Sequence, residues 1–353
     1  MKKIILAFDS FKGCMTAEDA CLAAASAFSD CFPEAQTVSL PMSDGGEGIV
    51  ACVSRFLDVS RVTCSSRSPL MEPITASYAV SADGQTAFME MAETCGLTLV
   101  PPHKRNPMVA STYGVGEMIL DAAKRGCKNI LMGIGGSATC DGGKGMLRCL
   151  NDRQTDLTRL PEITVACDVS NPLFGMNGAA YVFAPQKGAS PEQVVLLDAM
   201  LRDFAHETER KGIAKPEMAS CSGAGAAGGL GYALMAYLGA GLRPGTDILL
   251  DIMQFDDAVR NADLIITGEG KSDRQTLMGK VPLGLLRRAG SVPVHILSGA
   301  IEDAQSLIDA GFASVQSINS CDPRPLDVLM QRDTAIDNMR KTIFGIYGND
   351  KKQ

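Results

Sequence analysis

Carboxylates recur at the ends of apolar runs in this 353-residue chain. KIILAF runs into Asp9, TVSLPMS into Asp44 of DGGEG, NILMGIGGSATC into Asp141 of DGGKG, ITVAC into Asp168, and DLIITG into Glu269 of GEGKSD. Most of these acids have glycine beside them. Carboxylate oxygen is a hard donor that suits Mg²⁺, and backbone N–H groups with no Cβ in the way cradle phosphate. The chemistry implied is phosphoryl transfer, which needs positioning and charge neutralisation more than covalent help. Ligands of open α/β sheets bind beyond the carboxyl ends of the strands, so the fold is expected to gather these residues into one crevice.

The elements that must position them alternate. Strand runs at 3–8, 37–41, 128–132, 263–267 and 293–298 are interleaved with helical patterns, which argues for parallel βαβ units. Thr16 is placed to cap a helix over 17–28, with Asp19 as its capping-box partner. The helix after DGGEG runs to about Leu57, and another covers Leu283–Ala289. The middle of the chain differs: residues 61–91 alternate like a meander of half-buried strands, and 163–168 and 179–184 read as two further strands. This pattern implies a second α/β layer inserted into the first.

Bulk properties exclude several classes. A net charge of −7 with a pI near 5.1 argues against nucleic-acid binding. No run reaches the roughly 18 apolar residues of a membrane span, and Asp9 interrupts the N-terminal apolar run too soon for a signal-peptide core, so the expected location is cytoplasmic. The 12 cysteines are scattered without CxxC or zinc spacing and read as small core residues.

Each motif has its own chemistry. GIGGSATCDGGKG (133–145) follows a strand and precedes a helix, so Gly135, Gly136 and Ser137, with Asp141, are candidates for phosphate contact. No GxxxxGK[ST] occurs. GAGAAGGLG (223–231) offers Gly225 and Gly228 as nucleotide contacts, or as sites of close helix packing. In DGGEG, two acids among three glycines exceed what a helix cap requires, and Asp44 is a candidate active-site group. In ACDVSNP, Asp168 is a candidate metal ligand or base, with Asn171 beside it. TGEGKSDRQTLMGK is the densest polar cluster: Glu269 and Asp273 are candidate Mg²⁺ ligands, with Gly268 and Lys271 toward phosphate. Lys12, Arg105 and Lys187 are candidate anion clamps. Gly133, Gly135 and Ala138 also fit a looser GxGxxA, which keeps an NAD-dependent dehydrogenase open as an alternative.

These stretches together resemble the bacterial type I glycerate kinase family. AFDSFKGCMTA, LPMSDGGEG, RNPMVASTYGVGE, GIGGSATCDGGKGM, VACDVSNPLFG, FAPQKGAS, GAGAAGGLGYAL and ADLIITGEGKSDRQTLMGKVPLG occur in the family's order and span most of the chain from Lys3 to about Ala300. Three departures stand out. Cys140 replaces a usual Asn, Ile49 a usual Thr, and the stretch between Met146 and Pro161 is shorter than the family's by roughly 25–30 residues. That shortening, with Cys140, keeps a non-catalytic small-molecule sensor open as a further alternative.

The resemblance implies Mg²⁺- and ATP-dependent phosphorylation of D-glycerate, at the 2-hydroxyl in preference to the 3-hydroxyl. It also implies two α/β domains, one flavodoxin-like with a parallel sheet built from both chain ends. The expected division is 1–60, 105–150 and 245–353 for that domain, with a smaller mixed domain of 61–104 and 151–244 inserted in it. In this reading Asp168, Asp44 and Lys12 are catalytic. Gly135, Gly136, Ser137, Asp141, Gly225, Gly228, Gly268 and Lys271 bind ATP. Arg105, Lys187 and Asn171 bind glycerate, and Glu269 and Asp273 hold Mg²⁺.

Overall fold

The computed structural model describes residues 1–11, 13–42 and 48–348. Contacts divide the chain into two compact units, Met1–Asp44 with Thr246–Gln353, and Gly45–Gly245. The chain is mixed α/β with parallel strands in both units.

The strands in chain order are β1 (Lys3–Phe8), β2 (Gln36–Ser39), β3 (Val59–Arg67), β4 (Pro73–Ser81), β5 (Thr86–Glu90), β6 (Asn129–Gly133), β7 (Glu162–Ala166), β8 (Gly241–Arg243), β9 (Leu264–Gly268), β10 (Lys271–Ser272), β11 (Val294–Ser298), β12 (Ala300–Ile301) and β13 (Ser314–Ser317). In the terminal unit the sheet order is β13-β11-β9-β1-β2, and every pair is parallel. Counted within that unit this is the flavodoxin-like order, in which the winding reverses between the first and third strands. The sequence explains which strands are central. β1 and β9 are continuous apolar runs buried on both faces, as helix-covered parallel strands require. The short, half-polar QTVS and SVQS lie at the edges.

Thr16 caps the helix Ala17–Cys31 through a capping box with Asp19, as its spacing predicts. Its alanine-rich inner face packs on the sheet, and the helix Arg332–Tyr347 lies against it. Phe28 and Tyr347 meet at 5.1 Å, and Arg332 pairs with Asp19.

In the inserted unit the order is β3-β4-β5-β6-β7-β8. β3 to β5 form the antiparallel meander expected from 61–91, and β5 to β8 run parallel. Methionines 89, 91, 118, 132 and 146 fill its core. Three expectations differ from the structure. The first stretch of the terminal unit ends at Asp44, and 45–60 belongs to the inserted unit. Residues 105–150 do not join the chain ends: β6 hydrogen-bonds between β5 and β7, so the whole segment belongs to the inserted unit, which is also the longer of the two. Residues 179–184 form no strand: Ala179–Phe183 is a short helix. Its β-branched and aromatic composition suggests a strand, but Ala179, Ala180 and Ala184 are buried at helical spacing. Among the described residues no helix is long and apolar enough to cross a membrane.

Candidate active site

In the terminal unit, parallel pairing puts Phe8 beside Gly268, so the next residues, Asp9 and Glu269, leave adjacent strands together. The point between β1 and β9 is where the sheet's winding reverses. Both acids are buried. The Asp9 N–H donates to the Gly268 carbonyl at 2.9 Å. Glu269 Oε1 accepts from Thr276 Oγ1 at 2.6 Å and Ser272 Oγ at 3.2 Å, and Oε2 accepts from Lys280 Nζ at 3.1 Å. Ser298 at the end of β11 accepts the Glu269 N–H and bonds the Ser272 hydroxyl. Gly268 is required here: an added Cβ would fall 1.8 Å from the Leu297 carbonyl oxygen. Asp9, Glu269, Lys271 and Lys280 line a cavity of about 440 Å³.

In the inserted unit, the chain leaving β6 turns at Gly135 and Gly136, the latter exposed with φ +69°. Residues 136–138 then bridge to 95–97 through Leu97 N–H to Gly136 O and Ala138 N–H to Cys95 O. Behind the turn lies Lys187, only 2% exposed, donating to Ser137 Oγ at 2.6 Å and the Thr139 carbonyl at 2.7 Å. Burial pushes this ammonium down from 10.5 to about 8, because desolvation disfavours the charged form. Arg105 joins them. Its backbone abuts Gly188, where a Cβ would meet the Arg105 carbonyl at 2.5 Å, and its Nε donates to Val100 O at 3.4 Å. A glycine turn backed by a buried cation is suited to an anion.

Asp141 sits below this turn with a full set of donors. Its carboxylate accepts Thr112 N–H and O–H, both at 2.9 Å, and the N–H groups of Gly143 and Gly145, both at 3.0 Å. At the carboxyl end of β7, Asp168 Oδ1 accepts the Gly245 N–H at 2.9 Å.

The glycerate kinase family matches residues 4–159 and 151–347. The chain belongs to the glycerate kinase family. A glycerate 2-kinase of Escherichia coli K12 is 40% identical across 91% of this chain and 92% of its own. A glycerate kinase of Bacillus subtilis 168 is also 40% identical, covering 90% of each chain. A solved glycerate kinase 2 of Salmonella typhimurium LT2 superposes with a TM-score of 0.81 at 36% identity, covering 99% of this chain and 98% of that one. Membership in the glycerate kinase family makes the chain a kinase. The two family matches overlap at 151–159, inside the stretch read as shortened. Here the chain passes from the helix Lys144–Asp152 through one turn at Leu157–Arg159 directly into β7.

Several expected site residues land in other roles. Asp141 does not leave the N-terminus of helix Lys144–Asp152 open for phosphate, because its own carboxylate already caps Gly143 and Gly145. Gly225 and Gly228 each have protein backbone where a side chain would stand. A Cβ on Gly225 would lie 2.2 Å from Pro172 O, and one on Gly228 2.1 Å from Thr139 O. The Gly225 N–H is bound to Asn171 O. These glycines serve close packing, the second of the two readings their spacing allowed. Gly268 likewise serves strand packing.

Asn171 Nδ2 donates to Asn177 O at 2.8 Å and closes its own loop. Asp273 caps the turn Arg274–Met278 and lies 3.8 Å from Lys271, which pairs with Glu302 at 2.9 Å. The dinucleotide reading needs the glycine turn to open a helix, but the turn enters the bridge to 95–97 and the helix starts only at Lys144. Lys12 and Asp44 lie outside the described residues. Asp9 is expected in the crevice as a strand-end acid but is given no role there, and Lys280 is expected only to balance phosphate charge within the TGEGKSDRQTLMGK cluster. Register between β1 and β9 gives Asp9 its place beside Glu269, while Thr276 and Ser272 are missed because they reach Glu269 only through the turn. Among the described residues no group of three or more His, Cys, Asp or Glu side chains is placed to hold a metal.

Proposed function

We propose that this chain transfers the γ-phosphate of ATP to D-glycerate, favouring the 2-hydroxyl. The observation that carries the reading is the Asp9–Glu269 pair at the winding reversal of a flavodoxin-like sheet, with Lys280 on Glu269, in a chain of the glycerate kinase family. A related protein named a glycerate 2-kinase supports the regiochemistry.

The residues fit Mg²⁺. This ion keeps several waters and needs only one or two protein carboxylates beside substrate phosphates, so the lack of a larger acidic cluster is no obstacle. Asp9 and Glu269 would hold it, in place of the Glu269 and Asp273 pair expected from spacing, because Asp9 leaves the strand beside Glu269 at the winding reversal. Bound there, the ion would neutralise triphosphate charge. Ser272 and Thr276 fix one Glu269 oxygen and leave the other to Lys280, which keeps the carboxylate in one orientation. In the inserted unit, Gly135, Gly136, Lys187 and Arg105 would hold the anionic end of a substrate. Asp168, oriented by Gly245, would accept the hydroxyl proton. Lys12 and Asp44 keep their proposed catalytic roles.

The test is ADP release with Mg-ATP and D-glycerate, against L-glycerate, glycolate and tartronate, with phosphorus NMR of the product. Glycerate-dependent ADP release with a 2-phosphate product is expected. ATP binding without glycerate-dependent turnover would sink the proposal.

A further inference from the structure

The cavity beside Asp9 and Glu269 has two unlike walls. One is polar and comes from the strand ends: Asp9, Glu269 and Lys280. The other is apolar and comes from Phe11, Leu329 and Met330. Leu326, at the start of the short helix Leu326–Leu329, is 67% exposed at the rim, and Met330 is 41% exposed. A cavity of about 440 Å³ falls in the range of roughly 300–1,000 Å³ that holds drug-sized ligands. Glycerate bears oxygen on every carbon, so it gains nothing from a wall of leucine, methionine and phenylalanine. A purine ring is flat and apolar on both faces, and methionine sulfur packs favourably on aromatic rings. Nucleotides of flavodoxin-like sheets lie at the winding reversal, and this cavity opens there.

The geometry points to the cavity as the site of the nucleotide's base and ribose. The purine lies against the apolar wall of Phe11, Leu329 and Met330, and the phosphates run toward Lys280. This rests on the ATP-dependent reading above and adds to it the wall that selects the nucleotide. The terminal unit alone supplies the contacts.

The experiment is calorimetric titration of the full chain with Mg²⁺ and β,γ-imido-ATP, alongside steady-state kinetics, for wild type and Met330→Glu. A carboxylate in the apolar wall should weaken imido-ATP binding about tenfold or more and raise KM for ATP in step, with KM for glycerate unchanged. Unchanged imido-ATP affinity would overturn the inference, as would a rise confined to KM for glycerate. If Met330→Glu fails to fold, Leu326→Glu at the more exposed rim carries the same expectation. Wild type that binds imido-ATP but shows no glycerate-dependent turnover would refute the proposed function and leave this site standing.

Discussion

Lys187 offers the sharpest quantitative test. Burial lowers it from 10.5 to about 8, so the folded chain releases this proton before the unfolded chain does. Between those values the unfolded state binds more protons, and stability rises with pH. Below about 8 the cost of the buried charge is fully present. At about 1.4 kcal/mol per pH unit it comes to roughly 3 kcal/mol. Lys187→Met removes that cost but strands the Thr139 carbonyl, worth about 1–3 kcal/mol. The two nearly cancel at neutral pH, so the variant should be close to wild type in stability there.

Near pH 10 wild type has recovered most of the cost, so the gap should move against the variant by roughly 2–3 kcal/mol between the two pH values. Urea unfolding of both proteins near pH 7 and near pH 10 reads the difference, and comparing the two cancels the cysteine and tyrosine titrations that lie outside the reach of the Lys187 charge. If the stability gap between variant and wild type is the same at both pH values, Lys187 is not the desolvated cation described here.

Three further outcomes are expected. Asp141→Ala strands the donors of Thr112, Gly143 and Gly145 and should cost about 3–5 kcal/mol. A loss under about 1 kcal/mol in urea unfolding would show that the carboxylate is dispensable to the loop. Gly228→Ala forces a Cβ at φ +68° to within 2.1 Å of the Thr139 carbonyl and should cost more than about 3 kcal/mol. An unchanged urea midpoint would contradict the packing role assigned to this glycine. Glu269→Gln keeps an acceptor for Thr276 and Ser272 but loses the charge facing Lys280. Turnover should fall about 100-fold or more while the melting temperature barely moves, and near-normal kcat would remove Glu269 from the proposed catalytic site.

Legibility followed the range of the interactions. The helix over 17–31 could be read from Thr16 and Asp19 because a capping box is complete within three residues. β1 and β9 could be read as central because burial on both faces demands a continuous apolar run. The meander over 59–90 showed in its alternation. By contrast, 179–183 carries strand-like residues, and only packing of its alanines made it a helix. The 105–150 segment was misplaced because nothing local says whether β6 pairs with β1 or with β5.

The amino-acid sequence by itself determined the α/β class, the acids at strand ends, the glycine turns and the family, since these rest on local spacing and composition. Tertiary structure alone decided what each polar group touches. Asp141 and Asp168 look alike in sequence, each an acid after an apolar run. One is saturated by four donors from two loops, while the other takes a backbone N–H from 77 residues away. Gly225 and Gly228 match a nucleotide pattern, yet their lack of a side chain is also what lets the backbone of Pro172 and Thr139 approach them. Asp9 meets Glu269 across 260 residues because parallel register aligns Phe8 with Gly268. Hydrogen-bond satisfaction, close approach and strand register join residues distant in the chain, so spacing along the chain cannot report them.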